Sequence, residues 1–256
     1  MPTYLRRLVQ GPRLFLTLAV VLGALLMIRL GFWQLNRRTE RLQRNATFAG
    51  RTAEPPLRIA GPVDDPAAVE YRQVVVKGTF DYEHEIVLLG RTRGGEPGVH
   101  LLAPLRLAGG EQAVLVDRGW IPYEERDPAA RAAYRGPEGA TIRGRLQLGR
   151  ARTSRFLPAA APRKGGPRVD AWSAVDLARM EAQMPYSLLP FYVEQLPEPG
   201  DPELPWRGKE IVLDEGPHLS YAIQWFAFSI ILVAGYTAVM LRSPSPGAGG
   251  RLPQIG

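Results

Sequence analysis

The sequence predicts a membrane-anchored α+β protein: two transmembrane helices flanking a mainly antiparallel β domain that carries one or two short helices. Three observations predict it. Uncharged apolar runs occupy residues 14–28 and 219–241. Between them, short β-branched runs are separated by glycine and proline breaks. With 45% hydrophobic residues and no cysteine, the chain must build its core without disulfides or thiolate metal sites.

Residues 1–13 are expected to form a short basic N-terminus, with Arg6, Arg7 and Arg13. After Arg29 the apolar character continues through Leu30, Phe32, Trp33 and Leu35, so residues 14–35 rise about 33 Å as a helix, enough to cross a hydrocarbon core of about 30 Å. Arg29 then lies near one end, where its stem can carry the charge to the interface. No small-x-small cleavage site follows the run, so it reads as an uncleaved anchor. Residues 36–217 form the intervening domain, residues 218–241 a second span, and 242–256 a tail on the same side as the N-terminus. Arginines flank both ends of the first run, so the charge count does not fix the orientation.

Within the domain, "RQVVVKGTF" (72–80), "EIVLL" (85–89), "VHLLA" (99–103), "QAVLV" (112–116), "TIRGRL" (141–146), "FYVE" (191–194) and "EIVL" (210–213) read as strands. Gly-Gly pairs at 94–95 and 109–110 mark hairpin loops between successive runs. A helix is expected from Ser173, capped with Asp176, to Met184, where Pro185 stops it. Residues 155–169 lack periodicity and read as a loop, and there is no internal repeat.

Net charge is +7, and all but three of the 32 basic residues are arginine. They are scattered among 25 acidic residues rather than gathered into a stripe with stacking aromatics, which argues against a nucleic-acid partner. No His-Glu-x-x-His, Gly-x-Ser-x-Gly, P-loop or Cys-x-x-Cys pattern occurs, and Ser220 has no base arranged beside it, so the chain is not expected to be an enzyme. His84 and His100 fall in predicted strands on either side of a hairpin; two imidazoles without a third ligand make a poor metal site.

Four stretches, "LGFWQLNRRTERL", "KGTFDYEHEIVLLGRTRGGEPGVHLLAPL", "VLVDRGWIP" and "HLSYAIQWFAFS", together resemble the surfeit locus protein family, the cytochrome c oxidase assembly factors of mitochondria and bacteria. They occur in family order between the same two spans. The resemblance departs at Asp117, where the family has asparagine before Arg-Gly-Trp, and in the arginine-rich loop near 152–168.

The resemblance implies a bacterial plasma-membrane protein with both termini cytoplasmic and the β domain outside. It implies partners in subunit I of cytochrome c oxidase and in haem A synthase, and haem A as transient cargo. A histidine of the second helix is the family's haem-linked residue, which here matches His218. Helical spacing puts His218, Tyr221, Ala222, Trp225 and Ser229 on one face. Haem iron takes neutral imidazole well. Haem is therefore expected between the two helix ends, with His218 on the iron, Tyr221, Trp225 and Trp33 beside the ring, and Arg29 or Arg37 near a propionate. The competing reading makes the aromatics an interfacial belt, His218 a wetted cap, and Arg29 and Arg37 snorkelling residues. Arg118, Gly119 and Trp120 are expected either to staple the β domain or to shape a docking face. The alternative for the whole chain is a structural scaffold that grips oxidase subunits without binding haem, and a membrane-anchored hydrolase ranks behind both.

Overall fold

The computed structural model describes residues 12–149, 168–208 and 213–242. The expected strand at 210–213 and most of the loop at 155–169 lie outside them. The chain divides into two compact units, residues 1–45 with 213–256, and residues 46–212.

In the first unit, α1 (Pro12–Ala53) is one continuous helix that runs well past residue 35 into the second unit, because no proline or glycine pair interrupts "NRRTERLQRNATFAG". The second helix of the unit, α4, spans His218–Arg242. Both are long and apolar enough to cross a membrane.

The second unit is a mixed sheet of eight strands. In chain order these are β1 (Leu57–Ile59), β2 (Gln73–Phe80), β3 (Ile86–Arg93), β4 (Glu96–Leu107), β5 (Ala113–Pro122), β6 (Gly139–Gln147), β7 (Ala171–Trp172) and β8 (Leu188–Gln195). Each long predicted run becomes a strand. Pairing runs β1-β2-β6-β8-β5-β4-β3-β7, and β2 also pairs antiparallel with β4 through Gly78–Leu107 and Phe80–Leu105. That extra pairing closes β2, β6, β8, β5 and β4 into a ring. Gly78 permits it, since a Cβ there would stand 2.2 Å from the Arg106 carbonyl oxygen. Inside the ring lie Val74, Val76, Leu105, Val114, Val116, Leu146, Phe191 and Val193. A second cluster on the outer face packs Ile86, Leu88, Leu102, Leu115 and Leu188 under Trp172 and Met180.

The Gly94-Gly95 pair turns β3 into β4 with both residues at positive φ (+58° and +89°), as a primed hairpin turn demands. The sheet departs from a purely antiparallel reading at β1–β2, β3–β7 and β5–β8, which are parallel. Two expectations need correction. The helix predicted over 173–184 is only α3 (Leu177–Glu181), because Ala171–Trp172 pairs with β3 and Asp176, not Ser173, is the cap, its side chain accepting from the Arg179 N–H. Between β5 and β6 the short helix α2 covers Pro128–Arg131. His84 lies in a 3-10 turn, Tyr82–His84, rather than a strand, because the Asp81 carboxylate caps that turn by accepting from the N–H groups of Glu83 and His84.

Asp81 makes two further contacts at the same corner: its Oδ2 takes hydrogen bonds from the Tyr186 hydroxyl and His84 Nδ1, both at 2.8 Å. Burial works to raise its carboxyl, but the Tyr186 and His84 bonds and the His84 charge outweigh it and hold the group below the usual 3.8. A carboxyl depressed in the folded state contributes stability above its unfolded value and loses it as pH falls through the folded value. The melting-temperature gap between wild type and Asp81→Asn is therefore expected to be full at neutral pH and to narrow as pH drops below the 3.8 of the unfolded chain. Melts at a series of acidic pH values check it; a gap independent of pH contradicts it.

Candidate functional site: an imidazole on the seam of two apolar helices

The chain enters α4 along a strap that α1 holds in place. Arg41 Nε and Asn45 Nδ2 both donate to the Asp214 carbonyl, at 3.0 and 2.9 Å, and Arg41 also pairs with the Asp214 carboxylate. Arg38 donates to Glu215 Oε2 from two nitrogens, at 3.0 and 2.6 Å. Gly216 turns the strap at φ +67°, where a Cβ would stand 3.1 Å from Arg41 Nη1 and 3.3 Å from His218 Cδ2. Pro217 opens the helix, its carbonyl accepting the Tyr221 N–H at 3.1 Å and the Ser220 hydroxyl at 2.7 Å.

This entry delivers His218 onto the face of α4 that packs on α1. His218 Nδ1 stands 2.9 Å from Gln34 Oε1. A carboxamide oxygen only accepts, so Nδ1 carries the hydrogen; in a neutral ring that tautomer leaves Nε2 bare, the form that binds a metal.

Below the imidazole the helices touch through small residues. Ala24, Ala222 and Ser229 are buried, and the Ser229 hydroxyl donates to the Ala24 carbonyl at 3.4 Å. Gly31 lies under the Phe226 ring, where a Cβ would stand 2.5 Å away, and Phe32 meets the same ring edge-on at 5.4 Å. Thr17 and Tyr236 are hydrogen-bonded further along. Close backbone approach of this kind is how helices associate where lipid removes the hydrophobic drive.

Of the residues the sequence singled out, the structure brings His218 to this seam; Trp225 is half-buried and meets Phe228 of the same helix edge-on at 6.2 Å, and Tyr221 is 48% exposed. Arg29, Trp33 and Arg37 are not brought there. The contact stripe of α1 is Ala24, Gly31, Gln34 and Arg38, and Arg29, Trp33 and Arg37 form a separate exposed stripe. Arg29 and Trp33 line a shallow recess on that outer surface with Leu30, Phe32 and Asn36. Arg37 pairs with Glu40 at 2.9 Å and lies over the Trp33 ring at 5.6 Å. Arg29, Trp33 and Arg37 thus lie on an exposed face of α1, apart from the His218–Gln34 contact. Gln34, one residue from the stripe the sequence picked out, carries the contact instead.

In the β domain, Arg118 and Trp120 are buried. Arg118 donates to Glu85 Oε2 at 3.0 Å and to the Tyr134 carbonyl at 2.6 Å, and its guanidinium covers the rings of Phe80 and Tyr82 at 5.4 and 4.9 Å. Arg131 reaches the same carboxylate at 3.4 Å and pairs with Asp170 at 2.6 Å. Burial pushes the Glu85 carboxyl up, and the two guanidiniums pull it back. Gly119 sits at φ +117°, and Trp120 exchanges backbone hydrogen bonds with Trp206 at 2.9 and 2.8 Å. The motif thus ties β5 to the segment around Trp206.

His84 and His100 do not meet. His84 is held to Asp81, and His100 Nδ1 stands 2.8 Å from Asp117. Among the described residues no group of three His, Cys, Asp or Glu side chains converges as metal ligands would.

A profile of the SURF1 family matches residues 21–230, from within α1 to within α4. A "SURF1-like protein" of Monosiga brevicollis is 28% identical over 85% of this chain and 87% of its own length. A second "SURF1-like protein", of Rickettsia felis, is 26% identical over 86% and 94%. Human "Surfeit locus protein 1" is 24% identical over 84% and 74%.

Proposed function

The chain belongs to the SURF1 family, and from that premise we propose that it is an assembly factor for haem-copper (cytochrome c) oxidase that holds haem A as transient cargo for insertion into subunit I. On this reading both helices span a bacterial cell membrane, both termini are cytoplasmic, and the β domain lies outside. Haem A synthase supplies the cargo, subunit I receives it, and the chain performs no catalytic turnover of its own.

One observation supports the reading: the His218–Gln34 pair, which holds the ring by Nδ1 at the head of the helix seam and, in the neutral ring, leaves Nε2 for a metal. Iron is the chemistry that such a nitrogen serves. Gln34 orients the imidazole, Tyr221 and Trp225 offer flat apolar surface beside it, and Ala24, Gly31 and Ser229 keep the two helices in register beneath it. One axial protein ligand on an open flank leaves the other face of the iron reachable by an acceptor, which suits delivery better than storage. Arg29, Trp33 and Arg37, on the outer surface of α1, serve headgroups and the lipid interface instead. The tight seam at Gly31 and Phe226 favours a second reading, a scaffold whose β domain grips oxidase subunits without haem.

Purification from cells that co-express haem A synthase separates the two. The wild type is expected to carry a Soret band that is lost or shifted in His218→Ala. A colourless wild type under haem-replete conditions supports the scaffold, and equal haem in both proteins moves the ligand elsewhere.

A further inference from the structure

Arg29 is the only charged residue between Leu14 and Asn36, and neither that stretch nor α4 contains an aspartate or a glutamate. A guanidinium at the end of an apolar span needs an acceptor, because a lone charge is costly in hydrocarbon. The protein supplies none: among the described residues no side chain or carbonyl pairs with Arg29. The arginines that follow along α1 differ. Arg37 has Glu40, Arg38 has Glu215 and Arg41 has Asp214 as carboxylate partners.

The recess that Arg29 lines with Leu30, Phe32, Trp33 and Asn36 has a volume of about 520 Å³, within the size range of ligand sites. Arg29, Trp33 and Asn36 follow as i, i+4 and i+7, so they stand one above the other on α1. Helical Cβ bonds tilt toward the N-terminus, which leans Asn36 down toward Trp33, while the long stem of Arg29 reaches up to the same level. The Asn36 carboxamide is exposed and, like Arg29, has no partner among the described residues. Two uncommitted donors therefore flank one indole. Phe32 is held edge-on against Phe226 at 5.4 Å, which fixes the apolar floor between them.

We propose, on the reading that α1 spans a membrane, that this recess holds one anionic phospholipid, its phosphate on the Arg29 guanidinium and Asn36 Nδ2 and its acyl chain along Leu30 and Phe32. A phosphodiester presents acceptor oxygens in the geometry of the guanidinium fork. The end of an apolar run flanked by tryptophan is also the depth at which headgroups lie. Charge selects the class of lipid. A headgroup of net charge −1, such as phosphatidylglycerol, neutralises the one uncompensated guanidinium. A choline headgroup adds a cation for which the lining offers no carboxylate. A lipid fastened here fixes the depth and rotation of α1, and with them the level at which Gln34 meets His218.

Native mass spectrometry of the full chain, released from detergent micelles, tests this with three probes: phosphatidylglycerol, phosphatidylcholine of the same acyl chains, and glycerol 3-phosphate. One phosphatidylglycerol is expected to bind saturably and more tightly than phosphatidylcholine. Arg29→Gln is expected to weaken phosphatidylglycerol about tenfold, as loss of one charge-assisted hydrogen bond predicts, and to erase the preference. Arg29 makes no contact that folding would miss, so lost binding is not lost structure. Arg44→Gln, which removes the same charge from an exposed position outside the recess, is expected to bind as the wild type does. No saturable lipid, equal affinity for the two lipids, or undiminished binding in Arg29→Gln overturns the site. Glycerol 3-phosphate bound as tightly as the lipid overturns the lipid assignment. Flotation with vesicles of equal phosphatidylglycerol and phosphatidylcholine separates the premise. A chain that floats and resists alkaline extraction, yet shows no preference, loses this site alone; one that does not float loses the spanning reading as well.

Discussion

Gly119→Ala is expected to lower the melting temperature of the full chain in detergent by about 6–12 °C, the shift that about 3 kcal/mol produces in a domain of this size. Two effects add. At φ +117° the backbone occupies a region that side chains rarely adopt, at a cost of about 1–3 kcal/mol. A Cβ at that position would also stand 2.6 Å from the Trp206 carbonyl oxygen. That oxygen cannot retreat cheaply, because it accepts the Trp120 N–H at 2.9 Å while the Trp206 N–H is bound to Trp120 in return. Gly139→Ala is the control, since a Cβ there meets nothing within 4 Å. It is expected to move the melt by little. Equal melts for the two variants would remove the structural role assigned to the Arg-Gly-Trp motif.

Gln34→Leu is expected to weaken haem binding about 10–100-fold, the range found when the partner that orients a metal-ligating imidazole is removed. Leucine keeps the approximate volume at the seam but offers no acceptor, so His218 Nδ1 loses its 2.9 Å partner and the ring loses its fixed tautomer and aim. Gln34→Glu is expected to retain binding, because a carboxylate oxygen accepts from Nδ1 at the same place. Haem titrations of the purified proteins supply both numbers, and the Leu–Glu contrast distinguishes orientation of the ring from general packing. Wild-type affinity in Gln34→Leu would mean that the seam contact does not position the ligand.

The elements were legible where the pattern is local. Period-two runs such as "RQVVVKGTF" gave β2, and Gly94-Gly95 gave the β3–β4 turn, because a primed turn needs two residues at positive φ. The two apolar runs were legible by length alone. What was hidden depends on partners far away in sequence. The β2–β4 closure joins Gly78 to Leu107, and β7 is two residues long and exists only because β3 offers an edge. The expected helix from Ser173 failed for that reason, since Trp172 is drawn onto the sheet and its indole N–H onto the Val169 carbonyl.

The site divides in the same way. Helical spacing places His218, Ala222, Trp225 and Ser229 on one face of α4 without reference to α1. Which face of α1 meets them is decided by the small Ala24 and Gly31 and the uncharged Gln34, whose signal is weaker than that of Trp33 beside them. Aromatic and charged residues drew attention to the outward stripe; close packing selected the inward one.

The central claim is that one imidazole nitrogen of this chain binds haem iron, and it has a direct test. Because the chain has only three histidines, His84→Gln and His100→Gln leave His218 as the sole imidazole. Histidine-selective ¹⁵N labelling of that double variant, loaded with ferric haem A, allows pulsed EPR to read hyperfine coupling between the iron and the labelled ring. A ¹⁵N coupling of directly bonded strength, absent when Gln replaces His218 as well, is the predicted result. Haem bound in the double variant without any ¹⁵N coupling would contradict the account.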